Sequence, residues 1–133
     1  MKPLGISHVG IAVFDLEKAI RDYQSLFEFD SVERLELAHE GVKVAMLRTG
    51  NSEIELLSPT RDDAPIAKFL KERGEGIHHL AIKVKDVSKA IANAKRLGLR
   101  VLDERPRTGA RGAEAAFVHP KSLHGVLFEF YSL

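Results

Sequence analysis

Two histidines and two glutamates stand where they could hold a divalent cation. His8 and His79 each open a segment of strand-like residues. Glu55 and Glu129 each lie in a later apolar segment, Glu53-Ile-Glu-Leu-Leu57 and Leu127-Phe-Glu-Phe-Tyr131. Two imidazoles and two carboxylates form a mixed nitrogen and oxygen donor set. Such a set suits Co, Mn, Ni, Mg or Zn in octahedral geometry, with two positions left open. Open positions imply catalysis rather than structural support.

One histidine at the start of a strand would mean little. The weight comes from an internal repeat, a feature that decides the whole fold when present. Shifted by 71 residues, eight of the 22 residues from His8 to Phe29 are identical to their counterparts. His8 falls on His79, Asp15 on Asp86, and Lys18-Ala-Ile20 on Lys89-Ala-Ile91. The repeat selects His79 rather than the adjacent His78, which period-two alternation turns to the opposite face. Glu129 sits between aromatic residues, where an unpaired carboxylate is costly to bury. The competing placement is the solvent face of an edge strand, and alternation permits it for Glu129, Glu55 and Glu53 alike. His39, His119 and His124 fall in loops, on the surface or on the side of a bound substrate.

The elements that must position these residues follow from periodicity and punctuation. Residues 6–13 read as a strand. Asp15 is a good N-cap for a helix carrying Leu16, Ala19, Ile20, Tyr23, Leu26 and Phe27 at helical spacing. Strands follow over 31–37, 41–49 and 52–58. The second copy places a strand over 77–85, a helix from Asp86 to about Leu97 closed by Gly98, and strands near 99–104, 113–118 and 125–131. Between the copies Asp63 can cap, Pro65 suits a first turn and Gly74 closes a short helix. The expectation is an α+β fold of one domain over 1–133. Module one spans about 4–60, a linker helix about 64–74 and module two about 76–133. Each module is β-α-β-β-β, and the two form a curled mixed sheet around a metal cavity.

Bulk properties narrow the partners. With 20 basic and 19 acidic residues the formal charge is +1, which gives no general attraction to nucleic acid or to an acidic membrane. There is no cysteine, hence no disulfide or thiolate ligand. Met1–Ser7 lacks the apolar run of a signal peptide, and no stretch approaches the roughly 20 apolar residues of a membrane helix. These features lead to the expectation of a cytoplasmic protein.

Several longer stretches carry a resemblance. They are His8-Val-Gly-Ile-Ala-Val13, Gly41-Val-Lys-Val44, Ile54-Glu-Leu-Leu-Ser-Pro59, Pro65-Ile-Ala-Lys-Phe-Leu70 and Gly74-Glu-Gly-Ile-His-His79. In the second copy they are Pro106-Arg-Thr-Gly109-Ala-Arg-Gly112, Phe117-Val-His-Pro-Lys121 and Gly125-Val-Leu-Phe-Glu129. The paired modules resemble the vicinal oxygen chelate superfamily, and these stretches resemble the methylmalonyl-CoA epimerase family within it. The resemblance implies metal ligation by His8, Glu55, His79 and Glu129. It also implies an acyl-CoA thioester substrate, a homodimer, and Glu129 acting as catalytic base as well as ligand. It inclines Arg107, Gly109, Arg111, Gly112 and Lys121 toward substrate binding. From spacing alone that loop is equally a hairpin with solvated charges.

One position departs from the family pattern. Several bacterial members keep a second catalytic glutamate in the middle strand of the first copy, and Val44 stands there in this chain. Valine transfers no proton, so the acid that serves the opposite face of the substrate is unassigned. Glu40 and Glu53 lie near it in sequence. Within the same fold the alternatives are a glyoxalase I, which uses the same kind of ligand set, and a binding module without a metal. An Fe-dependent dioxygenase would use two histidines and one carboxylate, where this chain offers a fourth donor.

Overall fold

Two aspartates start two helices in the same way. Asp15 Oδ1 accepts from the Lys18 N–H at 3.0 Å and Asp86 Oδ1 from the Lys89 N–H at 3.0 Å, so each satisfies an amide that the first helical turn leaves without a partner. The computed structural model describes all residues, Met1–Leu133. The first copy runs β1 (Ile6–Ala12), α1 (Leu16–Leu26), β2 (Ser31–Leu37), β3 (Val42–Thr49) and β4 (Ser52–Pro59). After α2 (Pro65–Arg73) the order returns as β5 (Gly76–Lys83), α3 (Val87–Arg96), β6 (Arg107–Thr108), β7 (Glu114–Val118) and β8 (Phe128–Ser132). This is the α+β succession of two β-α-β-β-β modules expected from the repeat. No helix is long and apolar enough to cross a membrane.

Residues 8–78 make one compact unit, with strand order β2-β3-β4-β1. Strands β2, β3 and β4 pair antiparallel, and β1 lies parallel to β4. Alternation sorts the side chains of each strand to two faces. One face carries Ala45, Leu47 and Leu56 and packs under Leu16 and Ile20 of α1. The other carries Ala12, Val42, Val44 and Leu57, covered by Ile66 and Leu70 of α2. Gly41 turns β2 into β3 at φ +67, a left-handed conformation that favours glycine, and a Cβ there would stand 2.8 Å from the Arg61 guanidinium, which would have to shift.

Residues 1–7 and 79–133 make the other unit, with strand order β5-β8-β7-β6. Here β5 is parallel to β8 and the remaining pairs are antiparallel, as in the first copy. The N-terminal segment is tied to β5 by Leu4 N–H to Lys83 O at 2.9 Å and Lys83 N–H to Gly5 O at 2.8 Å. Val87, Ala90 and Ile91 of α3 cover Ala116, while Ala81, Ala115 and Tyr131 cluster separately with Ala113.

Two local expectations are corrected. The strand expected near 99–104 is reduced to a single bridge, Val101 with Val118, and the edge strand is Arg107–Thr108 instead. The ladder stops because the Asp103 carboxylate, not a backbone carbonyl, accepts the Phe117 N–H at 2.7 Å. Pro106 then has no N–H to donate. Helix α2 has Ala64 at its N-cap and no side-chain cap, and Asp63 instead accepts from Arg61 Nε at 2.7 Å.

The caps give a direct test. Asp86→Ala is expected to cost about 1 kcal/mol of unfolding free energy, the usual worth of an aspartate cap. Asp63→Ala should leave the denaturation midpoint unchanged, since its exposed ion pair contributes little. Equal losses in urea titrations would contradict the assignment of caps.

Candidate metal centre

The four expected donors occupy equivalent places in the two units. Along the parallel pair β1/β4, Glu55 stands opposite Gly10, two residues beyond His8. Along β5/β8, Glu129 stands opposite Ala81, two residues beyond His79. Each glutamate is therefore diagonal to its histidine on one face of the sheet, and the residue directly opposite it is small. Neither Gly10 nor Ala81 blocks the carboxylate from leaning toward the imidazole. The outcome is the same twice over: His8 Nε2 lies 3.8 Å from Glu55 Oε1, and His79 Nε2 lies 3.8 Å from Glu129 Oε1.

That separation is too long for a hydrogen bond, which spans about 2.7–3.2 Å. It fits two donors on one ion, because bonds of about 2.0–2.2 Å subtending ordinary coordination angles put donor atoms about 3–4 Å apart. All four residues are buried, His8 at 1%, Glu55 at 7%, His79 at 3% and Glu129 at 5% exposure. In each unit the donors lie on the face away from the repeat helix: His8 with Ala12 and Glu55 with Leu57, His79 with Ala81 and Glu129 with Tyr131. The donor set and its spacing fit a divalent cation.

Glu53 shares the face of Glu55 and is also buried, at 7% exposure, yet it is the Arg48 guanidinium that it approaches, Nη1 to Oε1 at 4.0 Å. Glu53 is also the residue directly opposite His8 in the strand register, and the Glu55 carboxylate lies 3.8 Å from His8 Nε2. Val44 is wholly buried between Leu35 and Leu57 in the neighbouring strands. Glu40 lies in the turn before β3, its N–H bonded to Leu37 O at 3.1 Å. His78 turns to the other side of β5, its ring edge-on to Phe69 of α2 at 4.9 Å between centroids.

The basic residues divide. Arg107 reaches inward, Nη2 donating to Glu129 Oε2 at 2.5 Å, Nε to Asp103 Oδ2 at 3.4 Å, with Cζ 4.2 Å from the centroid of the Phe117 ring. Arg111 holds a left-handed backbone at φ 61, followed by the exposed Gly112. Gly109 is buried and its N–H donates to Ala113 O at 2.7 Å, which closes the loop. Lys121 is exposed in a 3-10 turn over Pro120–Leu123, and its N–H donates to His119 Nδ1 at 3.0 Å. Desolvation, then the charges of Arg100 and Lys121, hold His119 below the ordinary imidazole pKa, so it is neutral at pH 7 and accepts that bond. His39 and His124 lie in turns, as expected. The Asp103–Arg107–Glu129 contacts had no signal in the sequence, because nothing in the repeat pairs Asp103 with Arg107.

Comparison with known proteins agrees with this geometry. Residues 7–117 match the Glyoxalase/Bleomycin resistance protein/Dioxygenase superfamily. The chain is 40% identical over 125 residues to the mitochondrial methylmalonyl-CoA epimerase of Homo sapiens, covering 93% of this chain and 71% of that protein. It is 38% identical to the ethylmalonyl-CoA/methylmalonyl-CoA epimerase of Cereibacter sphaeroides, covering 93% and 94%. A solved methylmalonyl-CoA epimerase in complex with methylmalonyl-CoA and NH4+ superposes with a TM-score of 0.93 at 37% identity, covering 98% of this chain and 94% of that one.

His79→Ala is expected to lose divalent-ion binding in calorimetric titration, while His78→Ala retains it. Equal loss in both would show that the register inferred from the repeat is wrong.

Proposed function

The chain belongs to the methylmalonyl-CoA epimerase family of the glyoxalase/bleomycin resistance protein/dioxygenase superfamily, and from that premise we propose that it interconverts the two epimers of methylmalonyl-CoA by removing and returning the proton on carbon 2. The observation that carries the reading is the twofold His–Glu pair, at 3.8 Å in each unit, on equivalent strands and faces. His8, Glu55, His79 and Glu129 jointly bind one divalent ion in this proposal, drawn from Co, Mn, Ni, Mg or Zn. We further propose a homodimer, as the resemblance to the family implies.

The proton on carbon 2 lies between a thioester and a carboxylate. Its removal leaves an enolate whose charge sits mainly on the thioester oxygen. A bound divalent ion supplies Lewis-acid stabilisation of that charge as it develops. Glu129 accepts the proton from one face of carbon 2 as general base. At 5% exposure, between His79 and Arg107, its carboxylate is largely withdrawn from bulk water. Arg111, with Gly109 and Gly112 in its loop, and Lys121 offer cations and close backbone approach to the acyl-CoA. The group that returns the proton on the opposite face is not Val44, whose side chain carries no exchangeable proton.

The test is exchange of the carbon 2 proton of methylmalonyl-CoA in heavy water. Exchange and epimerisation are expected together, abolished by exhaustive chelation and restored by a divalent transition ion. Full activity in protein shown to be metal-free by elemental analysis would remove the metal from the reading, and no exchange with any ion would remove the reaction.

Glu129→Gln keeps an oxygen for the ion but accepts no proton. It is expected to retain ion binding and lose at least about a hundredfold in kcat, the scale of a deleted acid–base group. Activity within a few-fold of the parent protein would exclude Glu129 as the base.

A further inference from the structure

The two oxygens of Glu129 have different neighbours. Oε1 lies 3.8 Å from His79 Nε2, and Oε2 accepts from Arg107 Nη2 at 2.5 Å. We propose that Arg107 is a positioning residue for Glu129, which holds one carboxylate oxygen so that the other is presented beside His79, and that Asp103 acts through Arg107. The inference rests on the reading of Glu129 as ligand and base, and assigns Arg107 a task other than gripping substrate.

Geometry fixes Arg107 on three sides. It stands on β6 opposite Ala115 of β7, and Glu129 stands on β8 opposite Phe117 of β7. The side chain therefore crosses β7, a span of two strand spacings or about 9.5 Å between strand axes. The methyl group of Ala115 leaves the way clear. The Phe117 ring forms the floor, 4.2 Å from Cζ, where the ring face attracts the cation. Asp103 meets the guanidinium edge at Nε, 3.4 Å away, and is itself anchored by the Phe117 N–H at 2.7 Å. Phe117 also places its ring edge-on to His79, at 5.5 Å between centroids. Asp103, Arg107, Glu129, His79 and Phe117 thus constrain one another within a single unit.

Charge supports the same reading. Glu129 has 6% of its side chain exposed and Arg107 23%, so the pair is largely withdrawn from water. A carboxylate so buried requires a nearby cation. A guanidinium can meet two carboxylates and an aromatic face at once because it is planar and forked, whereas an ammonium is a point charge. A carboxylate pinned at one oxygen has lost its rotation, which is the service that partners behind metal ligands provide.

The test compares the parent protein with Arg107→Ala, Arg107→Lys, Asp103→Asn and the Arg107→Ala/Asp103→Asn double variant, each loaded with Co(II). Kinetics and the visible spectrum of the bound Co(II) are the two readouts. Arg107→Ala is expected to lower kcat on the order of 10–100-fold, the usual cost of removing such a partner, with KM unchanged and the Co(II) spectrum shifted. Arg107→Lys, which keeps the charge and the fold without the fork, should also show a shifted spectrum and a lower kcat. Asp103→Asn should shift the spectrum in the same direction by less, and add nothing in the Arg107→Ala background. An Arg107→Ala variant with raised KM, unchanged kcat and unchanged spectrum, whose KM Arg107→Lys restores, would make Arg107 a substrate cation and overturn the proposal. Additive effects of Asp103→Asn would overturn the part assigned to Asp103. If the parent protein binds Co(II) but epimerises nothing, the function reading fails, and the spectra still decide whether Arg107 positions Glu129.

Discussion

A carboxylate withdrawn from water must be met by positive charge or by strong donors, because its desolvation otherwise outweighs the packing around it. Glu55 and Glu129 are placed under that constraint, each almost fully buried on a sheet. Each faces an imidazole across a gap too wide for a hydrogen bond and suited to an ion. Glu129 has Arg107 at its second oxygen as well. The surrounding small residues, Gly10 and Ala81, leave the space into which the carboxylates lean. Small side chains in the middle of strands are poor at packing, and here their lack of bulk is the useful property.

The sheet register converts this constraint into geometry. Parallel pairing of β1 with β4 and of β5 with β8 sets each glutamate two residues beyond its histidine. A one-residue slip would carry the glutamates to the helix-covered face, among Leu56 or Phe130 and their neighbours. The helices hold the register from behind. Leu16 and Ile20 of α1, and Val87, Ala90 and Ile91 of α3, bury the opposite faces. Their shared start at an aspartate cap leaves β1 and β5 with the same short connection to their helices. In each unit the His–Glu pair thus lies on the face opposite the repeat helix, and in the first unit α2 packs Ile66 and Leu70 onto that same donor face.

Much of this was legible in the chain. The 71-residue repeat exposed both copies, both caps and the placement of His79, rather than His78, beside a glutamate, because identical residues at equivalent positions impose identical local structure. Alternation placed the donors on one face but left Glu55 and Glu53 equivalent. They differ through neighbours remote in sequence: Glu53 lies between His8 on β1 and Arg48 on β3, whereas Glu55 lies opposite Gly10 and leans to within 3.8 Å of His8. The strand expected near 99–104 failed for a comparable reason. Asp103 gives its carboxylate to the Phe117 amide, and that choice depends on β7 lying alongside.

The sequence by itself determined the order of elements in the two copies, the starts of α1 and α3 and the candidate donors, since these depend on periodicity, capping and repetition over a few residues. The resemblance of its longer motifs pointed to the family. Only the tertiary structure decided that Asp63 bonds Arg61 rather than capping α2, that Val44 is sealed between Leu35 and Leu57, and that Arg107 turns inward. An arginine in a glycine-bearing loop can meet solvent, a ligand or its own protein with equal local propriety. Which of these prevails is set by Phe117, Asp103 and Glu129, side chains 4 to 22 residues away that chain folding alone brings to it.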